Sequence, residues 1–223
     1  MTFQLTEPIL LIGLGGVGAS LAEKAKKSLN SDCLLISHDQ KDLTAENSIK
    51  ISTKSVVNPS THLIRGSTLE TSDEIKKNIA NYSTVILMSN LAGKAGVGIG
   101  PIVSRICKQE QKNLLSFAIM PFKFEKERIF QSGIALKRIR QDSQCTIVVD
   151  NDALLDSNPD LTQKQCYDIS NKAIESMMHS LKSSEISEDT NILSTGKATD
   201  DIEASLKDSL RMLYEDAPPN SIK

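Results

Sequence analysis

The stretch that most constrains this chain runs from Ile9 to Leu29. Ile9-Leu10-Leu11-Ile12 is short, wholly apolar and branched, as a strand buried on both faces reads. Gly13-Leu14-Gly15-Gly16-Val17-Gly18 follows directly. Leu21, Ala25 and Leu29 then recur every fourth residue, with Glu23, Lys24, Lys26 and Lys27 on the other sides, which is an amphipathic helix. Strand, glycine loop and helix in that order make an anion cradle. The helix start carries about half a positive charge and several unpaired N–H groups, and glycines let the loop approach the anion without a Cβ. A tight strand-to-helix turn that binds nothing needs fewer glycines than these.

The loop alone leaves the ligand open. Dinucleotide-binding folds, adenylating enzymes and tubulin-like GTP-binding proteins all begin this way. No Lys stands in the Walker position, which speaks against a P-loop NTPase.

The 223 residues, 39% of them hydrophobic, suffice for one domain with a sizeable core and a small appendage. With a formal net charge of -2 and no basic block, nucleic acid is not the expected partner. No apolar run approaches the roughly 20 residues of a membrane span, and Met1 to Pro8 does not open a signal peptide. Cys33, Cys107, Cys145 and Cys166 stand far apart, without Cys-x-x-Cys or a zinc spacing. They read as buried free thiols in a reducing cytoplasm, and His38, His62 and His179 are too scattered to hold a metal.

Further on, strands are expected at Cys33–Ile36, Thr84–Met88, Asn113–Ile119 and Cys145–Val149. Asp39 follows the second of the chain's strands by a few residues. It is either the acid that holds a ribose hydroxyl in a dinucleotide fold or a plain solvated turn. Residues 44–72 are hard to read: Ile49 and Ile51 alternate as in an edge strand, while Asn58-Pro59 and Gly66-Ser67-Thr68 mark turns. Ser72 caps a short helix to Asn81. Leu91 to Gly100 reads as a second glycine loop, with Pro101 in the first turn of the helix behind it. A helix ends near Arg140, and a long one spans Leu161 to Leu181. Lys182 to Asp189 is an acidic loop and Thr190 to Ser194 a short strand. Ile202, Leu206, Leu210 and Leu213 mark a last amphipathic helix before Pro218-Pro219. Strands alternating with helices predict an α/β fold, a doubly wound, mostly parallel sheet.

These residues resemble the FtsZ and tubulin-like family over about residues 8–181, and faintly over 190–217. Gly13 to Gly18 is similar to the family's first phosphate loop, and Ala92 to Gly100 to its second. Pro121-Phe-Lys-Phe-Glu and Ile147-Val-Val-Asp-Asn-Asp-Ala-Leu-Leu are close to two more specific family motifs. The resemblance implies a GTP-binding domain over 1–181 and a stub of a second domain over 182–223. It implies GTP or GDP as ligand, with Mg²⁺ allowed beside it and no protein metal site. Gly13, Gly15, Gly16 and Gly18 would form the first phosphate loop, and Gly96, Gly98 and Gly100 would hold the β- and γ-phosphates. Glu125 and Arg128 would reach the ribose, Asn151 would face the nucleotide, and Asn171 the guanine edge. Tyr167 either stacks near the base or packs in the core.

The departures are specific. Val97 and Ile99 replace two Thr of the second loop, removing two hydroxyls expected to bind phosphate at about 1 kcal/mol each. The third loop shrinks to Gly66–Glu70, Lys126 stands where a Gly should follow Glu125, and the acidic loop after the long helix lacks its Asn-x-Asp pattern. A cytoplasmic GTP-binding protein of cytoskeletal or cell-division type is thus expected, with GTPase activity slow or absent and self-association or an FtsZ-like partner open. The alternatives are a Rossmann-type NAD- or ATP-binding enzyme, and a scaffold that binds no nucleotide but regulates filaments.

Overall fold

The structure is a computed structural model that describes residues 5–54 and 56–181. The acidic loop, the short strand, the last helix and the second-domain stub expected beyond residue 181 lie outside the described residues. Six parallel strands form one sheet: β1 (Ile9–Leu14), β2 (Asp32–Ser37), β3 (Ser48–Lys50), β4 (Thr84–Asn90), β5 (Asn113–Ile119) and β6 (Cys145–Val149). Their order is β3-β2-β1-β4-β5-β6. The chain therefore winds outward from β1 in one direction, then returns to the other side of β1 at β4. Ligands of such sheets bind at this reversal, beyond the carboxyl ends of the strands.

Every central strand is apolar on both sides because both faces are covered. Leu11, Leu35, Met88 and Phe117 point into one core with α1 (Gly15–Leu29) and α7 (Gln163–Leu181). Their neighbours Leu10, Ile12, Leu34 and Leu87 point into a second core. That core is closed by α2 (Thr61–Glu70), α3 (Ser72–Ile79) and α4 (Lys94–Gln109). The next helix, α5 (Lys126–Asp142), packs on α4 through Ala135 and Ile139. The pairing Leu11↔Cys33 and Leu11↔Ile86 places side chains of one face level across three strands.

Five expectations need correction. Gly66-Ser67-Thr68 is not a turn but the middle of α2. Ser60 caps that helix, accepting the Leu63 N–H at 3.3 Å, and Thr68 donates its hydroxyl back to Ile64 O at 2.7 Å. Ser72 does not cap α3; Thr71 precedes the helix, and the Ser72 hydroxyl donates to Leu69 O at 2.7 Å. The second glycine stretch is a loop only to Gly93, after which Gly96, Gly98 and Gly100 are helical and Pro101 lies well inside α4. Proline cannot donate to the carbonyl four residues back. That carbonyl, Val97 O, is instead within 3.4 Å of the Arg65 guanidinium. Finally, Asp150 caps an additional short helix, α6 (Asn151–Ser157), by accepting the Asp152 N–H at 3.0 Å. A Thr162/Gln165 capping box starts α7 two residues later than expected.

Candidate functional site

At the reversal between β1 and β4, two long helices begin side by side. Neither Leu14 before α1 nor Gly93 before α4 caps its helix with a side chain, and neither first turn contains an acid. Two helix starts with N–H groups uncapped by side chains give two partial positive charges at one place. Gly15 adopts φ 64°, and a Cβ on it would come within 2.8 Å of Ala95 Cβ. A larger residue at 15 would hold the two helix starts apart.

A crevice of about 280 Å³ opens here, lined by Gly15, Gly16, Val17, Asn90, Gly93, Lys94, Ala95 and Gly96, with His38, Asp39, Lys41 and Asp42 on its far wall. That volume is near the lower limit for small-molecule sites, about 300 Å³, so it matches the phosphate end of a nucleotide better than a whole one. A wider hollow of about 810 Å³ lies at the opposite edge of the sheet, lined among others by Glu7, Glu23, Lys26 and Asn30. It meets the C-terminal, partially negative end of α1, with charges of both signs, and has no comparable anion cradle.

The far wall is a polar turn with internal order. Ser37 donates its hydroxyl to Asp42 at 2.7 Å, and its oxygen accepts the Asp39 N–H at 3.1 Å. Asp39 accepts the Lys41 N–H and pairs with the Lys41 ammonium at 3.0 Å, which holds its carboxyl below the usual range. Asp39 therefore both caps a turn and lines the crevice. Asp42 faces the glycine loop, its Oδ1 2.9 Å from where a Gly16 Cβ would be. His38 Nδ1 is buried without a partner, and burial lowers its pKa despite Asp39 and Asp42 nearby. The Lys94 ammonium is held by Asn58 Oδ1 at 2.7 Å and Pro59 O at 3.0 Å.

Gly13 and Gly18 do not line the crevice; they let β1 and α1 touch. A Cβ on Gly13 would meet Gly18 O at 2.5 Å, and one on Gly18 would meet Met88 O at 2.4 Å. Gly96 lines it while packing on Asn90 O. Gly98 and Gly100 are expected at the phosphates but face Ile64 and Ile139, the neighbouring helices. Val97 and Ile99 are buried in the core, so hydroxyls at those positions would not face this crevice.

The remaining candidates gather beside α1. Lys24 on α1 pairs with Glu175 on α7 at 2.7 Å. Both helices leave the carboxyl edge of the sheet, so one and two turns before Glu175, Asn171 and Tyr167 flank the beginning of α1. Val17 and Tyr167 pack against the same core. Phe122 meets Tyr167 edge to face at 5.3 Å and stacks on Phe124 at 5.1 Å. Burial, with Glu125 nearby, raises the Tyr167 pKa. Glu125 accepts from the Phe122 N–H at 3.1 Å and from Arg128 at 2.6 Å. Asn151 does not face the crevice: it is fully buried, accepting from the Ser170 hydroxyl at 2.6 Å and donating to Met120 O at 3.3 Å. Asn171 Oδ1, by contrast, is buried and has no partner. His38, Asp42 and Lys94 also line the crevice although no motif singles them out, because the fold turns the segment after β2 onto Gly16.

Among the described residues, no group of three His, Cys, Asp or Glu could hold a metal, and no helix is long and apolar enough to cross a membrane.

Residues 8–159 match the model of the Tubulin/FtsZ family, GTPase domain. "Cell division protein FtsZ 1" of Halobacterium salinarum is 26% identical over 192 residues, covering 80% of this chain and 47% of that protein. Its "Cell division protein FtsZ 2" is 25% identical, covering 74% of this chain and 44% of that protein. The chain thus spans less than half the length of these relatives. An FtsZ dimer from M. jannaschii superposes with a TM-score of 0.70 at 22% identity, over 79% of this chain and 55% of that one. CetZ from Methanosaeta thermophila does so at 0.61 and 17% identity, over 75% and 51%. Crevice, sheet order and family model agree: the chain belongs to the Tubulin/FtsZ family, and residues 8–159 correspond to its GTPase domain.

Proposed function

We propose that the crevice binds the phosphates of a guanine nucleotide, GTP or GDP, in the part of the chain spanning residues 1–181. The observation that carries this reading is the pair of side-by-side helix starts, α1 and α4, without side-chain caps, brought within reach of one anion by Gly15. Phosphate oxygens would accept from the N–H groups of Gly16 and Val17 on one side and of Lys94 to Gly96 on the other. Asn171 Oδ1, a buried acceptor without a partner beside α1, suits the N1–H and exocyclic amine of guanine. Adenine presents an unprotonated N1 there and would leave it unpaired. Tyr167 supplies an aromatic edge on the same flank.

Mg²⁺ fits as a companion of the phosphates, since it keeps several waters and uses few carboxylates. Asp42 is the carboxylate nearest the glycine loop. The protein alone would hydrolyse GTP slowly, because positioning an attacking water requires more than a cradle. Asp39 and Asp42, the carboxylates of the crevice wall, are already engaged by Lys41 and Ser37. A part in cell division or a cytoskeleton, with self-association or an FtsZ-like partner, is proposed from the relatives' names.

A calorimetric titration with GTP, GDP, ATP and NAD tests the reading. Guanine nucleotides should bind most tightly, and Asn171→Leu should narrow their margin over ATP. NAD or ATP binding as tightly as GTP in the parent would sink it. A second reading, a scaffold that takes no nucleotide, draws on the Asp42 carboxylate facing Gly16, and the absence of any binding would favour it.

A further inference from the structure

A surface helix ordinarily turns its polar side away from the protein. The helix α5 departs from that pattern. It packs on α4, β5 and β6, and its buried side chains are Ser132, Ala135 and Ile139. At about 100° per residue, Phe130, Ile134 and Lys137 lie on the opposite side. Phe130 is 74% exposed and Ile134 38%, so two large apolar side chains hold the place where polar ones are usual. Glu127 and Gln141 extend the same stripe, which runs Glu127, Phe130, Ile134, Lys137, Gln141 in steps of three, four, three and four residues. That is the spacing of a seam that meets a second helix. Glu127 and Lys137 are exposed on either side of the apolar pair, and neither has an ion-pair partner among the described residues.

We propose that α5 pairs antiparallel with α5 of a second copy of this chain, about a twofold axis level with residue 132. Phe130 and Ile134 stand equally far from that level, and so do Glu127 and Lys137. Antiparallel packing therefore sets Phe130 on Ile134 of the second copy, and Glu127 against its Lys137. The axis makes each contact twice, so two apolar layers are closed at both ends by opposite charges. Parallel pairing would set Glu127 on Glu127 and Lys137 on Lys137, which charge disfavours. A Cβ on Gly133, beside the axis, would meet nothing within 4 Å, so the helices can approach closely there. An anionic lipid surface fits less well, because it would repel Glu127 in the stripe itself. One helix pair buries less than a standard interface of about 1,600 Å², so the dimer is weak. It is also closed, since both copies spend the same patch and leave none for a third. The proposal rests on α5 alone and stands apart from the nucleotide crevice.

Sedimentation equilibrium of the full chain in EDTA and without nucleotide tests this, from about 10 µM to about 1 mM, the range of weak contacts. The parent should pass from monomer to dimer and no further. Phe130→Asp should weaken the dimer about thirtyfold or more. Glu127→Lys or Lys137→Glu alone should weaken it about tenfold. The double exchange Glu127→Lys/Lys137→Glu should restore it, because opposite charges again face each other. The three side chains are exposed, so every variant should keep the parent's melting temperature. A parent that stays monomeric at the highest concentration would overturn the proposal. So would a dimer that Phe130→Asp leaves intact, or a double exchange that dimerises no better than the single ones. Binding of a monomeric parent to anionic vesicles, lost in Phe130→Asp, would overturn it in favour of a lipid surface.

Discussion

Gly16→Ala separates ligand binding from folding more cleanly than any other change in the crevice. The added Cβ would stand 2.9 Å from Asp42 Oδ1 and 3.6 Å from Asp42 Cγ, and meet no backbone. Asp42 must therefore yield by a few tenths of an ångström, stretching the 2.7 Å hydrogen bond it accepts from Ser37. A hydrogen bond to a charged group contributes about 1.5–3 kcal/mol, so weakening it costs ~1 kcal/mol. Alanine is better than glycine in a helix by about 1 kcal/mol, which offsets that loss. The melting temperature should then move by no more than about 4 °C. The ligand has no such compensation. The methyl occupies the space through which a phosphate oxygen reaches the first N–H groups of α1. Losing two charge-assisted hydrogen bonds, ~3 kcal/mol together, weakens binding about 150-fold. Calorimetry with GDP and thermal unfolding of the same samples read both quantities. A variant that melts normally and binds GDP like the parent would refute the placement of the phosphates. One that loses several kcal/mol of stability would refute the offset.

Three further outcomes are expected. Gly13→Ala should cost ~3 kcal/mol or more in urea unfolding, since its Cβ would meet Gly18 O at 2.5 Å and Ala19 Cα at 2.7 Å, both backbone; a loss under ~1 kcal/mol would mean that β1 and α1 are not in contact there. Burial lowers the His38 pKa below the 6.5 of the unfolded chain, so its contribution to stability is full above about pH 6.5 and declines as pH falls below it. Urea unfolding at two pH values should show a shallower acid decline in His38→Asn, and an identical decline would show that His38 is not the group responsible. The thiols of Cys107 and Cys145 are both pushed up to about 12 by burial, and all four cysteines are free and buried. Iodoacetamide at pH 8 should leave them unmodified in the native protein and react once urea is added; rapid native labelling would contradict the packing.

Much of this fold is legible in one dimension because its strands are covered on both faces. Leu10-Leu11-Ile12 and Val85-Ile86-Leu87 have no polar side to hide, so a run of branched side chains is enough to find them. The first glycine loop is legible for a related reason. It lies between a strand and a helix that are both unmistakable, and φ 64° at Gly15 is a local demand that local sequence meets. The sequence by itself thus determined the sheet, the glycine turn that starts α1 and the family.

The form of the second glycine stretch was decided only by the tertiary structure. Glycines alternating at 96, 98 and 100 read as a loop, yet they lie in a helix. The space each one vacates is filled by another element: Asn90 O at the end of β4, Ile64 of α2, Ile139 of α5. Pro101 is tolerated inside α4 although it leaves Val97 O without its helical partner, and the guanidinium approaching that carbonyl comes from Arg65 on another helix. Turn residues at 66–68 became helical once Ile64 had a core to enter. Asp42 acquires its place against Gly16 in the same way. A residue's type states what it can bond, but which atoms stand within 3 Å of it depends on elements distant in the chain, and no periodicity records that.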